Sequence, residues 1–322
     1  MAGRNRLLNR AYQWVFALWI PLLGWSVRRL PLGILYAMGG LIMRSFLFLN
    51  PRYNRAVRQN CSQLLGEAPD SVRVKDLVRR MAYNHGRYWI DFFYWSEMAG
   101  VSARPVPVQV VNGDALDRCV GAGRGIVALT AHMGNWEMGG LILRGRAGDM
   151  AVVYVPDRFA IIERYRSKYR RNAGIIEIPM TNDPLSALGA LRVLRSGGVV
   201  AVQGDRDFND SGIPVPFFGR MAWFPKGPAV LSLISRSPIL PVFILRAEDG
   251  NGAGSGGFRV IVCDPVEPAG ESGDEAAVER IVRQCVAIME CVIRAHPDQW
   301  YCFYPFWDDP SRSTGCERDE KS

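Results

Sequence analysis

Histidine is scarce in this chain. His85, His132 and His296 are the only three in 322 residues, so imidazole chemistry has few places to sit. Seven cysteines, at 61, 119, 263, 285, 291, 302 and 316, are odd in number and include no C-x-x-C pair, which excludes a zinc ribbon and a disulfide framework. They read as reduced, mostly buried thiols facing a cytosol. The glycine-rich stretch at 121–125 precedes a predicted strand instead of following one, so it is neither a dinucleotide fingerprint nor a P-loop. No serine near His132 stands in a G-x-S-x-G elbow, so an acyl-enzyme is not expected. Internal repeats and low-complexity blocks are absent, and 48% hydrophobic residues exclude a disordered chain.

Acidic residues are missing from the first 60 positions, which carry nine arginines (Arg4, Arg6, Arg10, Arg28, Arg29, Arg44, Arg52, Arg55 and Arg58). Beyond them the remaining 30 basic residues face 31 acidic ones, so the net charge of +8 belongs to the N-terminal arm. That arm is also the most apolar part. Ala11–Val27 is uncharged for 17 residues, broken by Pro21, and Leu30–Met43 is uncharged for 14. Arginine beside apolar runs, with Trp14, Trp19 and Trp25 suited to a headgroup belt, predicts an uncleaved membrane anchor that spans or lies on the bilayer. Buried helices of a soluble protein and a signal peptide are the weaker alternatives, the latter lacking a small-x-small cleavage site. Nucleic acid is excluded as a partner, because the chain beyond residue 60 is nearly neutral.

Residues 51–98 carry apolar positions at helical spacing, with Gly66 and Pro69 between two helices. Strands and helices then alternate. SARPVPVQVVNGD reads as a break followed by a short strand, and GIVALTA, MAVVYVP, GIIEIP, GVVAVQGD, PILPVFILRAED and FRVIVCD read as strands. NWEMGGLILRG, residues 159–173, DPLSALGALRVLRSG, KGPAVLSLISRS and a long segment near 274–296 read as helices, and 206–225 as a Gly/Pro-rich loop. The pattern predicts a three-layer α/β fold: a largely parallel central sheet flanked by helices and ended by a hairpin, behind an N-terminal apolar helical membrane anchor. The expected division is an anchor over 1–50, a catalytic domain over 51–310 and a flexible tail over 311–322.

His132 stands just past the strand GIVALTA, where α/β sheets gather their sites. In His132-Met-Gly-Asn-Trp-Glu137 the five-residue spacing would leave the two side chains ~140° apart on one helix. A loop histidine and a first-turn glutamate can meet if Gly134 bends the chain and Asn135 caps the helix. The expectation is a dyad in which Glu137 fixes the His132 tautomer and the other ring nitrogen acts as base. Amides around Gly134 and Asn135 are candidates for an oxyanion hole. The cluster Arg164, Arg166, Lys168, Arg170 and Arg171 is either a solvated helix face or an anion grip, and Arg158 rivals Arg170. Lys226 stands at a predicted helix N-terminus, a natural anion site. Asp205 and Asp207 read as turn residues or, less favoured, divalent-metal ligands; His85 and His296 read as structural.

These residues carry a resemblance. HMGNWE is similar to the H-x-x-x-x-D/E motif of glycerolipid and glycolipid acyltransferases. Its Asn-Trp-Glu form resembles the bacterial lipid A late acyltransferases (lauroyl/myristoyl type) and the related phosphatidylinositol mannoside acyltransferases. RYRSKYRRNAGIIEIP, the segment from VAVQGDRDFND to PILPVF, HPDQWYCFYPFW and RYNRAVRQNCSQLLG agree in order, over roughly residues 5–308. The resemblance implies a membrane-associated O-acyltransferase on the cytoplasmic side of the inner membrane. It would move a fatty acyl chain from acyl carrier protein or acyl-CoA to a glycolipid hydroxyl, such as that of a lipid A precursor, without a cofactor or metal. It makes His132 and Glu137 catalytic, and assigns substrate binding to Asn135, Arg170, Asp205, Arg206 and Lys226. The Asp-Arg-Asp loop leans toward the mannoside branch. A soluble α/β thioester hydrolase and a non-enzymatic membrane-binding protein are the rival readings.

Overall fold

A computed structural model describes residues 24–98, 107–140, 148–157, 159–180, 185–247, 257–271 and 273–307. Most of the apolar run at 11–27, Arg158 and the tail beyond 307 lie outside the described residues. After a helical stretch at 24–27, the described residues form α1 (Leu32–Leu49), α2 (Pro51–Leu65) and α3 (Val72–Met98). Pro51 at the first turn starts α2, where its missing N–H costs nothing, and Gly66 at φ +65° ends it.

Of the expected apolar segment, α1 is long and apolar enough to cross a membrane. It is two-faced, however. Leu35, Tyr36, Gly39, Gly40 and Leu47 are buried, while Ile34, Met38, Leu41, Ile42, Phe48 and Leu49 are exposed. The buried face lies against α3, and glycines allow the approach: a Cβ on Gly86 would stand 2.3 Å from the Gly39 carbonyl.

The alternating region follows as β1 (Val108–Val111), α4 (Gly113–Gly121), β2 (Ile126–Thr130), a helical turn at 136–140, β3 (Met150–Tyr154), α5 (Ala160–Asn172), β4 (Ile176–Pro179), α6 (Leu185–Arg195) and β5 (Val199–Gln203). Then come β6 (Ile213–Phe217), β7 (Arg220–Phe224), α7 (Gly227–Ser235), β8 (Ile239–Arg246), β9 (Phe258–Val262) and α8 (Glu275–Ala295). The seven-stranded sheet runs β1-β9-β8-β2-β5-β3-β4. β8, β2, β5, β3 and β4 are mutually parallel; β9 is antiparallel to β8, and β1 is parallel to β9.

The sheet is covered on both faces, which is why its central strands are continuous apolar runs. In β2, Val127 and Leu129 join the core beneath α6, α7 and α8, while Ile126 and Ala128 join the core beneath α4. Two expectations change. The β8–β9 hairpin does not end the sheet, because β1 pairs outside it. The segment read as a Gly/Pro-rich loop contains the β6–β7 hairpin. Pro214 and Pro216 point outward there on alternate positions of a two-stranded ribbon, a place where proline is tolerated.

Gly86→Ala forces a methyl into the α1–α3 contact and should lower stability by about 1–3 kcal/mol in denaturant melts. Gly33→Ala, in α1 but with nothing near its added Cβ, should be neutral or stabilising by up to ~1 kcal/mol.

Candidate active site

Parallel pairing puts Thr130 of β2 beside Gln203 of β5, and each chain continues past its strand end. Two residues further on, His132 and Asp205 therefore arrive side by side. The His132 Nδ1 lies 2.8 Å from Asp205 Oδ1, and the His132 backbone N–H donates to Oδ2 at 2.9 Å. The Trp300 indole N–H also donates to Oδ2, at 2.9 Å. Burial alone would raise the Asp205 pKa, but the adjacent imidazole and these hydrogen bonds more than offset it and hold the carboxyl below its ordinary value. An ionised carboxylate only accepts, so Nδ1 carries the proton and Nε2 presents its lone pair. The ring is partly exposed and packs edge-on against Trp136, at 5.5 Å between centroids.

The loop bearing His132 is stitched down throughout. Gly134 has φ +59°, and a Cβ there would lie 2.0 Å from the Ile244 carbonyl oxygen. The amides of Met133, Gly134 and Asn135 donate to the carbonyls of Ala131, Gln299 and Ile244 at 2.7, 2.8 and 2.7 Å. Tyr301 N–H donates to the His132 carbonyl at 2.8 Å, so residues 299–301 run along the loop like a short strand. The expected oxyanion donors at Gly134 and Asn135 are thus already committed.

The carboxylate that meets His132 is Asp205 and not Glu137. Glu137 occupies the first turn after Asn135 and faces α5, where Arg170 Nη2 donates to its Oε1 at 3.0 Å and Arg166 stands at 3.7 Å. Arg166 also pairs with Asp157 at 3.3 Å, and Arg170 approaches Glu177 at 3.5 Å while its guanidinium stacks on Tyr154. Arg170 is 4% exposed. Three carboxylates therefore meet two guanidiniums. Burial works against the Arg170 charge, and Glu137 more than offsets that.

The other expected residues fall in distinct places. Asn135 is 2% exposed; its side-chain oxygen accepts from Met138 N–H at 3.3 Å, capping the helical turn, and its amide nitrogen donates to Asp91. Asp205 has both oxygens occupied and holds no anion. Arg206 is exposed beside it, its guanidinium between the rings of Phe208 and Tyr304 at 4.5 and 4.4 Å. Lys226 lines a separate groove of about 630 Å³ with Ile213, Val230, Ile234, Glu275 and Glu279. Asp207 accepts from the amides of Gly212 and Asn209 and closes its own loop. His85 is packed among Tyr88, Trp89, Tyr301 and Phe303, where burial and then Arg166 push its pKa down to about 3. His296 ends α8.

A cavity of about 50 Å³ lies beside the loop, between β2, β3, β5 and the turn at 136–140. Met150, Val152, Ile175 and Ala201 give it apolar walls, and Thr130, Trp136, Glu137, Arg170 and Gln203 reach its polar side. Thr130 Oγ1 and Gln203 Nε2 are buried there without a hydrogen-bond partner among the described residues. Residues that sequence reasoning passed over are Trp300 and Gln299, whose Pro-x-Gln-Trp setting was noticed but given no task, and Asp91, a lone acid in the aromatic run YWIDFFYW.

Glu137→Gln keeps the shape but strips a counter-charge from two buried guanidiniums. It should cost about 3–5 kcal/mol in denaturant unfolding. Asp205 supplies a pH arm. Its depressed folded-state pKa contributes stability that is present above the ordinary carboxylate range and lost as pH falls through the folded value. Wild-type protein should therefore lose its stability margin over Asp205→Asn in acid melts below about pH 4, and an unchanged margin there would refute the ionised carboxylate.

Comparison with known proteins follows the same lines. The family "Bacterial lipid A biosynthesis acyltransferase" matches residues 1–308. Phosphatidylinositol mannoside acyltransferases of Mycobacterium tuberculosis are 27% identical over 94% of this chain and 91% of their own length. That of Mycolicibacterium smegmatis is 27% identical over 78% of each chain. The solved 1-acyl-sn-glycerophosphate acyltransferase of Thermotoga maritima aligns over 90% of this chain and 99% of its own, with a TM-score of 0.35 and 16% identity. With a match over nearly its whole length, this chain belongs to the bacterial lipid A biosynthesis acyltransferase family.

Proposed function

We propose that this acyltransferase moves a fatty acyl chain from an acyl thioester, on acyl carrier protein or CoA, to a hydroxyl of a glycolipid at the cytoplasmic face of the inner membrane. The observation that carries the reading is the His132–Asp205 pair at the ends of β2 and β5, with no partner for Nε2 among the described residues. Asp205 holds Nδ1–H and offsets the charge of the imidazolium. Nε2 takes the proton of the acceptor hydroxyl as its oxygen attacks the thioester carbonyl carbon. The tetrahedral intermediate collapses, the carbon–sulfur bond breaks, and the imidazolium returns its proton to the departing thiolate. Such a positioned base contributes about 10²–10⁴-fold. Because the loop amides are committed, we assign oxyanion stabilisation to Gln203 Nε2 and Thr130 Oγ1, each two residues before a member of the pair.

The acceptor is either a lipid A precursor or a phosphatidylinositol mannoside. The Asp205-Arg206-Asp207 loop and the names of the mycobacterial relatives favour the second. In this reading Arg206, fixed between two aromatic faces at the rim, meets the anionic part of donor or acceptor. The exposed apolar face of α1 rests on lipid, with exposed Arg28, Arg29, Arg44, Arg52 and Arg55 toward anionic headgroups. Residues 1–50 then serve as the membrane segment and 51–310 as the catalytic unit.

His132→Ala should abolish transfer in an assay with acyl thioester and glycolipid-containing vesicles. Asp205→Asn should turn the ring to the tautomer that lacks a basic Nε2 and lower kcat by about 10³–10⁴-fold with the fold retained. Near-normal turnover in either variant would sink the mechanism, and mass spectrometry of lipids from a deletion strain would identify the acceptor.

A further inference from the structure

One buried charge has no part in the chemistry above. Asp91, in the C-terminal third of α3, is 2% exposed and sits in the aromatic run YWIDFFYW. A carboxylate there is stable only if its oxygens are fully paired. Its partners come from three other elements. From α1, the Tyr36 hydroxyl donates to Oδ1 at 2.6 Å. From the end of β8, the Arg246 guanidinium donates to Oδ2. From the loop behind His132, Asn135 Nδ2 donates to Oδ2 at 3.3 Å.

A second route leaves the same hub. The Gln299 side chain is locked to the Arg246 backbone in both directions, at 2.8 and 3.1 Å, and the Gln299 carbonyl accepts the Gly134 amide at 2.8 Å. Two paths from Asp91 thus end on consecutive residues, Gly134 and Asn135, two and three positions past His132. The Tyr36 ring is held between Arg246 and Arg87, at 4.8 and 4.9 Å, so its hydroxyl has little freedom to point elsewhere.

We propose that Asp91 and Arg246 are positioning residues for the His132 loop, and that the Tyr36 hydroxyl makes the apolar helix α1 part of that lock, so that turnover depends on the seating of α1 on α3. The inference rests on the reading of His132 as the base. A base works only within a few tenths of an ångström of its target, and small displacements of a supporting loop cost rate before they cost fold. The same helix offers lipid its outer face and the catalytic loop its inner one, which ties the position of the loop to how the helix sits.

Tyr36→Phe is the deciding variant, because it keeps the ring and both stacked guanidiniums and removes one hydroxyl. It is measured in the full chain, in vesicles containing phosphatidylglycerol. The expected result is a kcat lowered about 3- to 30-fold with KM within about twofold and an almost unchanged thermal midpoint. The His132 ring-nitrogen signals in NMR should also move from their wild-type positions, while still showing the Asp205 hydrogen bond. Adding Asp91→Asn should lower kcat by less than the product of the separate effects. Wild-type kcat with unchanged ring signals in Tyr36→Phe overturns the proposal, and so does a change confined to KM or to the thermal midpoint. If wild-type protein transfers no acyl group from any thioester, the functional reading fails, while the ring signals still report on the lock.

Discussion

Three hydrogen bonds end on the carboxylate of Asp205, and they tie together parts of the chain nearly 170 residues apart. Two come from His132, through backbone and ring, and one from the Trp300 indole. Buried in apolar surroundings, an ionised carboxylate has to be paid for by such contacts. Once it is satisfied, little about the ring is left to vary. The tautomer is set, and the partly exposed ring packs edge-on against Trp136. The C-terminal residues 299–301 are therefore as much a wall of the site as the strand ends that carry His132 and Asp205.

A second ionic cluster lies just beyond the first and is built differently. Glu137, Asp157 and Glu177 surround Arg166 and Arg170 on the inner side of α5, whereas Arg164, Lys168 and Arg171 on its outer side are exposed. One helix thus carries two kinds of arginine. The inner ones pair with carboxylates and fasten α5 to the turn after the His132 loop. The glutamate of the H-x-x-x-x-E motif belongs to this cluster. The histidine finds its carboxylate just past the neighbouring strand β5.

The order of strands and helices was legible because buried parallel strands are short apolar runs and the helices between them keep a 3.6-residue stripe. His132 was legible too, as a histidine just past such a strand. Its partner was not, because nothing in the linear order says that β5 lies beside β2 with Thr130 opposite Gln203. Proximity along the chain favoured Glu137; proximity across the sheet selected Asp205. The β6–β7 hairpin escaped notice since Pro214 and Pro216 break the usual strand signature. Asp91 did leave a trace, as a single acid in an aromatic helix, but its meaning appears only when α1 and β8 close over it.

The strand-like contact between residues 299–301 and the His132 loop also bears on how the protein is made. A chain still growing on the ribosome acquires His132 and Asp205 long before Gln299 and Trp300 leave the exit tunnel. Until then Asp205 lacks its indole donor, and the Gly134 amide has no carbonyl to meet. The contacts that hold the His132 loop therefore close only after every strand of the sheet has been synthesised.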